Sequence, residues 1–223
     1  MKILFSLLFF LMIFSYNTYG NDNKVVIINI LDENLRFLKV DAGCFPFGDL
    51  WGDGDLDEIP VKKVCLDDFY IMDSEVTQSL FEKVLNYNPS HIKMGGDYPV
   101  DSVTLYDVDL FIKKISLMTN HKFRLPTEEE WEKAAKGKAI TKWSGTDLET
   151  ELNNFIVYDT DSSYPIKSKL PNDYGLYDMS GNVWEWVDKE VKPNFYIIKG
   201  GGWSSKIKDI RTSNKSYSNS GEG

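Results

Sequence analysis

The sequence predicts a single α+β domain, with its few helices in the first two-thirds and little regular structure in the last third. Three observations carry this expectation. Apolar, β-branched runs at 25–30 and 35–40 read as strands. Between residues 77 and 136, three threonine-led segments place apolar residues at helical period. Beyond Gly137 that periodicity gives way to glycine, asparagine, serine and tryptophan, the composition of loops and short strands.

The chain begins with Lys2 and an apolar run over 3–14 interrupted only by Ser6. Thr18 and Gly20 then sit at the −3 and −1 positions of a cleavage site, so residues 1–20 read as a signal peptide removed on export. The run is shorter than the ~18 residues expected of a spanning helix. An uncleaved membrane anchor is the alternative. Residues 21–36 would follow as an extension or first strand, with the main domain over 37–223. That domain is expected to be exported, periplasmic or secreted, with no membrane span after cleavage.

The runs 25–30 and 35–40, separated by 31–34, suggest a hairpin, and 65–72 a further strand. Thr77 is placed to cap a helix carrying Leu80, Phe81, Val84 and Leu85, which Asn88-Pro89-Ser90 would stop. Thr104, with Asp107 three residues on, opens a second helix lined by Leu105, Val108, Phe111, Ile112, Ile115 and Met118. Thr127 and Glu130 form a capping box for a third, containing Trp131, Ala134 and Ala135.

A formal charge of −9 argues against nucleic acid and against an anionic membrane surface as partners. The acidic run Asp49, Asp53, Asp55, Asp57, Glu58 is not an EF-hand: Glu58 stands where the loop needs glycine and Val64 where it needs glutamate. It reads as a solvated loop. His91 and His121 have no metal-ligand spacing to any cysteine or carboxylate, and neither a nucleophile elbow nor a phosphate-binding glycine loop is present. No catalytic residue is assigned. Cys44 and Cys65 are the two cysteines; in an oxidising compartment an even count favours a disulfide, with two buried thiols as the alternative.

The densest chemistry lies in 175–186 (Gly-Leu-Tyr-Asp-Met-Ser-Gly-Asn-Val-Trp-Glu-Trp) and 199–203 (Lys-Gly-Gly-Gly-Trp). Glycines permit tight or left-handed turns, and indoles wedge them. Asp178 and Glu185 offer carboxylate oxygens, and Gly181 and Val183 main-chain oxygens, the ligand type calcium takes. The alternative is that both carboxylates cap local N–H groups. Trp51, Trp143 and Tyr164 are candidates for ligand contact, or for packing.

Several of these segments, in order from about residue 37, resemble the formylglycine-generating enzyme (sulfatase-modifying factor) family. They are 43–49, 57–61, 68–71, 75–78, 99–104, 123–132 (Phe-Arg-Leu-Pro-Thr-Glu-Glu-Glu-Trp-Glu), 175–186 and 200–203. The resemblance implies an irregular fold akin to C-type lectins, and raises the expectation of calcium at Asp178, Gly181, Val183 and Glu185. It also matches Cys44 and Cys65 to a pair near the N-terminus of many exported members. The family's enzymes oxidise a sulfatase cysteine to formylglycine with oxygen and copper held by two cysteines near the C-terminus. Here 203–213 contains no cysteine, and cuprous ion wants thiolates. Copper is therefore not expected. The resemblance further implies a closing Gly-Phe-Arg strand that these 223 residues do not include, so the domain is expected to be shortened at its C-terminus. The functional expectation is an exported, monomeric, calcium-stabilised binding or structural domain with a protein or glycan ligand. The alternative is a formylglycine-generating oxidase.

Overall fold

The computed structural model describes residues 7–9, 11–14, 24–91 and 93–222. The cleavage region at 18–20 lies outside them. Two short strands, β1 (Leu7–Phe9) and β2 (Met12–Phe14), come from the apolar run that also reads as a leader. A run this apolar suits a buried strand as well as an export signal, so its composition does not separate the two roles.

Strands β3 (Val25–Ile30) and β4 (Glu33–Val40) form the expected hairpin. Leu31 and Asp32 have φ of 48° and 64°, so a two-residue turn joins the strands and β4 starts before the apolar pattern does. The strand expected over 65–72 is two strands. β6 (Lys62–Leu66) pairs with β5 (Gly43–Phe47), and β7 (Phe69–Met72) enters another sheet. Asp67 and Asp68 separate them, residues that favour loops over a sheet interior, and the chain changes sheet there.

Helices α1 (Gln78–Leu85), α2 (Leu105–Thr119) and α3 (Glu128–Lys136) begin where expected, on Thr77, Thr104 and Thr127. The Thr104–Asp107 and Thr127–Glu130 capping boxes are both formed. α1 stops at Asn86, whose left-handed conformation ends the helix before Pro89 can. Past Gly137 one 3-10 turn (Glu149–Glu151) runs into a single-turn helix, α4 (Leu152–Phe155). The last third also holds a long hairpin, β9 (Trp184–Lys192) with β10 (Phe195–Lys199), and β11 (Lys215–Asn219) beside it. The first four residues of β9 are buried and its last five exposed. It therefore lacks the alternation that marks a strand in sequence.

The five-stranded sheet runs β3-β4-β7-β2-β8, with β8 at Lys122–Arg124, and the four-stranded sheet β1-β9-β10-β11. The main core includes Phe37, Phe81, Phe111, Trp131 and Trp186, all fully buried. A smaller cluster of Trp143, Leu152, Ile156 and Ile210 lies under the final third. α3 packs against β5, β9 and β10, which brings the Trp131 indole onto Glu185 at the start of β9. Among the described residues no helix is long and apolar enough to cross a membrane.

Candidate functional site

The loop before β9 is held by its backbone. Asp178, Gly181 and Asn182 take φ of 58°, 78° and 56°, so the chain doubles back twice within five residues. Gly181 is required: a Cβ there would lie 2.2 Å from the Val157 carbonyl oxygen. Its N–H donates to Gly200 O at 2.8 Å, and the Asn182 N–H donates to Val157 O at 2.8 Å. The Asn182 side chain turns inward. Its amide nitrogen donates to Glu75 Oε1 at 3.0 Å, and its oxygen accepts the Tyr164 N–H at 2.9 Å.

Three carboxylates lie under this loop. Asp178 Oδ2 accepts the Lys167 N–H at 2.8 Å, and Glu185 Oε2 accepts the Trp131 indole N–H at 2.5 Å. Glu75, Asp178 and Glu185 are 0%, 4% and 0% exposed. One oxygen of each, Glu75 Oε2, Asp178 Oδ1 and Glu185 Oε1, is buried with no hydrogen-bond partner. Burial raises the Glu75 carboxyl well above its usual range, and the charges of Asp178 and Glu185 raise it further. Asp178 is pushed to about 6, mainly by burial and against the pull of the Lys167 N–H. Burial holds Glu185 well above the usual range, opposed by the indole hydrogen bond. Glu75 and Asp178 lie close enough to share a proton; as two bare acceptors they make no bond. Buried carboxyl groups in this state call for either protons or a cation.

The sequence-predicted set is thus partly assembled. Asp178 and Glu185 lie in one buried region, with Gly181 and Val183 in the turn between them; each carboxylate takes one N–H, as the capping alternative expects of Asp178, and keeps a second oxygen without a hydrogen bond. Their free oxygens are hard carboxyl donors, the type calcium takes and a soft metal does not. Glu75, which the sequence does not offer as a ligand, joins them from the family-like stretch 75–78. Nothing local to Glu75 signals burial; α1 and β7 carry it under a loop a hundred residues on. Glu75 does not convert the pair into a three-carboxylate cage. Among the described residues, no three His, Cys, Asp or Glu side chains converge closely enough to hold an ion.

Cys44 and Cys65 are disulfide-bonded, directly opposite each other in the β5–β6 pair. The acidic loop they flank is not wholly solvated. Asp53, Asp55 and Asp57 are exposed, but Asp49 and Glu58 are 5% and 4% exposed. Asp49 accepts the N–H groups of Trp51 and Gly54, and Glu58 forms a two-pronged pair with Arg211 at 2.7 and 2.8 Å. Below it, Glu132 takes Lys136 at 2.7 Å and Lys199 at 3.1 Å, all fully or almost fully buried. Glu132 also accepts the Gly48 N–H at 2.7 Å. These ions are paired across up to 153 residues of chain, a separation that sequence periodicity does not report. Trp143 is core, 2% exposed, with its indole N–H on Ile207 O; Trp51 is half-buried and Tyr164 is 41% exposed.

A profile of the sulfatase-modifying factor enzyme 1-like domain matches residues 32–222. The chain belongs to this family. Its relatives include a protein named serine/threonine-protein kinase pkn1 of Chlamydia pneumoniae, 30% identical over 83% of this chain and 36% of that protein. Another is the chaperone protein LppX of Paenibacillus barcinonensis, 30% identical over 66% of this chain and 73% of that protein. The chain therefore spans about a third of the kinase's length, and the activities in these names are those proteins' own. Among solved structures, Treponema denticola variable protein 1 superposes with a TM-score of 0.80 at 25% identity, covering 89% of this chain and 95% of that one. The irregular α+β fold of the family is thus the fold of this chain.

The segment where the family resemblance places a copper-binding cysteine pair runs from Trp203 to the strand β11. Its polar side chains are hydroxyl, ammonium, carboxylate, guanidinium and amide groups, none of them a thiol, and Arg211 is already engaged by Glu58. Both cysteines of the sequence are tied to each other elsewhere. These residues do not fit a cuprous ion.

Proposed function

We propose that this domain is a non-catalytic member of its family, exported, and acting as a calcium-stabilised binding or structural protein. The observation that carries the non-catalytic reading is the Cys44–Cys65 disulfide, which leaves no thiolate among these residues to hold copper. The decisive assay supplies copper(I), oxygen and a peptide with the Cys-X-Pro-X-Arg sulfatase motif, and reads the peptide mass. Formylglycine accumulating at catalytic rates overturns the reading; unchanged thiol supports it.

The calcium reading is supported by the unused oxygens of Asp178 and Glu185, held by the fold in a place no solvent reaches. Main-chain oxygens of Gly181 and Val183 would complete the ligand set. A bound ion would cancel the repulsion between the carboxylates and lock the loop that feeds β9. A family fold of long loops on a rigid core suits ligand binding. The exposed ring of Tyr164, near Lys169, is the aromatic of the three candidates best placed to contact a protein or glycan.

A further inference from the structure

Strands β5 and β6 form a two-stranded ribbon that joins neither larger sheet. Cys44 stands opposite Cys65, Pro46 opposite Lys63 and Phe45 opposite Val64. Alternate residues of a strand face the same way, so the ribbon has two unlike faces. One carries Phe45, 3% exposed, and is drawn onto α3. There the Lys136 ammonium donates to the carbonyls of Pro46 and Gly48, each at 2.8 Å, and Glu132 accepts the Gly48 N–H. The other face carries Cys44, Cys65, Pro46 and Lys63. Both cysteines and Lys63 are exposed to solvent.

An open cavity of about 340 Å3 lies on this outer side, lined by Cys44, Phe45, Pro46, Val61 and Lys63. Its walls are apolar apart from one sulfur and one ammonium group, and its size is that of a small-molecule pocket. Burial is what keeps a bracing disulfide away from thiols, and exposed disulfides are the exchangeable ones. The contacts that seat the ribbon on α3 use no sulfur atom. The ribbon therefore keeps its place when the S–S bond opens.

We propose that the Cys44–Cys65 bond is a thiol-exchange site, with the cavity as the entry for a low-molecular-weight thiol. The incoming thiolate attacks Cys44 Sγ, the sulfur that lines the cavity, and a new S–S bond forms there. The Cys44–Cys65 bond breaks, and its electron pair leaves on Cys65 Sγ as a thiolate. A second thiolate then attacks the small molecule's sulfur in this mixed disulfide, and Cys44 leaves as a thiolate in turn. The two small thiols are oxidised to their disulfide, and the protein is reduced by two electrons.

Lys63 is the positioning residue. It lies two residues before Cys65 on the same strand face, where its positive charge favours the departing thiolate. Asp67 and Asp68, the nearest carboxylates beyond Cys65, fall past the end of β6, and Asp68 is paired with Lys39. This exchange is additional to the binding or structural role proposed above and does not depend on it.

The test incubates the oxidised full chain with excess reduced glutathione over a urea series that stops where unfolding begins. Samples are quenched with N-ethylmaleimide and mapped by mass spectrometry. The expected result is a rate that does not change with urea, and a first adduct of glutathione on Cys44 with Cys65 alkylated. A rate that climbs in step with the unfolded fraction would show that the bond opens only in the unfolded chain, and overturns the proposal. A first adduct chiefly on Cys65 overturns it as well.

Two variants separate the parts of the site. Lys63→Glu should slow exchange with uncharged β-mercaptoethanol by about 3-fold or more while leaving the melting temperature unchanged; an unchanged rate overturns the role of Lys63. Val61→Trp, which fills the cavity from its exposed wall, should slow glutathione more than the smaller β-mercaptoethanol. Equal rates of both thiols with the parent protein and this variant overturn the cavity as the entry. None of these outcomes bears on calcium binding at 178–185.

Discussion

Replacing Asp178 by asparagine separates a proton-holding cluster from a calcium-holding one. In metal-free protein, burial raises the Asp178 carboxyl from 3.8 to about 6. At ~1.4 kcal/mol for each tenfold change in proton affinity, ionising it in the folded state costs about 3 kcal/mol. The sign follows from the raised value. The folded state holds this proton more tightly than the unfolded chain, so stability is greatest below pH ~4 as far as this group is concerned. It then falls as pH rises and levels off above the folded value. Asp178→Asn keeps an oxygen for the Lys167 N–H but carries no charge. In chelator at neutral pH the variant should therefore match or exceed the parent by up to about 3 kcal/mol, or roughly 6–12 °C for a chain of this size. The same variant should lose Asp178's share of the fall in stability between pH ~4 and ~6, leaving the part that the raised Glu75 and Glu185 carboxyls contribute. Saturating calcium should reverse the ranking: the parent gains ~2.7 kcal/mol at a hundred times the dissociation constant, and the variant, short of one carboxylate, gains little. Urea titrations across pH, in chelator and in calcium, read all of this. A parent whose metal-free stability is flat from pH ~4 to ~7, together with a variant destabilised under every condition, would refute the argument from desolvation.

Three further outcomes are expected. Replacing both cysteines by serine should cost about 2–4 kcal/mol by chemical denaturation, and reductant should lower the parent to the same level while leaving the variant unmoved. Glu132→Gln should cost on the order of 3–5 kcal/mol, because Lys136 and Lys199 would stay buried without their shared counter-charge; restoring stability with Lys199→Met in the same chain would identify the unpaired charge as the cause. Gly181→Ala should lose roughly 1–3 kcal/mol from its positive φ, with more from the Cβ placed 2.2 Å from Val157 O. Hydrogen exchange should show faster opening at Asn182 and Trp203, and unchanged protection in α2.

Local rules were legible wherever a residue acts on its near neighbours. Thr77, Thr104 and Thr127 start helices because a side-chain oxygen reaches an N–H three residues away, a contact written entirely in spacing. The 25–40 hairpin follows from two apolar, β-branched runs on either side of a polar break, and the Cys44–Cys65 bond agrees with the even cysteine count. The motifs at 123–132 and 175–186 carried the family, and with it the fold. Asp178 and Glu185 stood out as oxygen donors because the glycines around them announce an ordered turn.

What the tertiary structure alone decided are burial and long-range pairing. Nothing near Glu75 in the sequence announces its burial, which follows when Asn182, on a loop 107 residues later, folds over it. Asp49 and Glu58 belong to an acidic surface run in sequence, yet Arg211 draws Glu58 inside across 153 residues. The strand 65–72 divides because its halves serve different sheets, and β9 carries no strand alternation because its burial changes along its length. The apolar run at the N-terminus shows the limit most directly. Hydrophobicity states that residues 11–14 must leave water, and only the sheet that receives them determines where they go. Charge, burial and sheet membership depend on partners brought from far along the chain, and spacing within a segment carries no information about those partners.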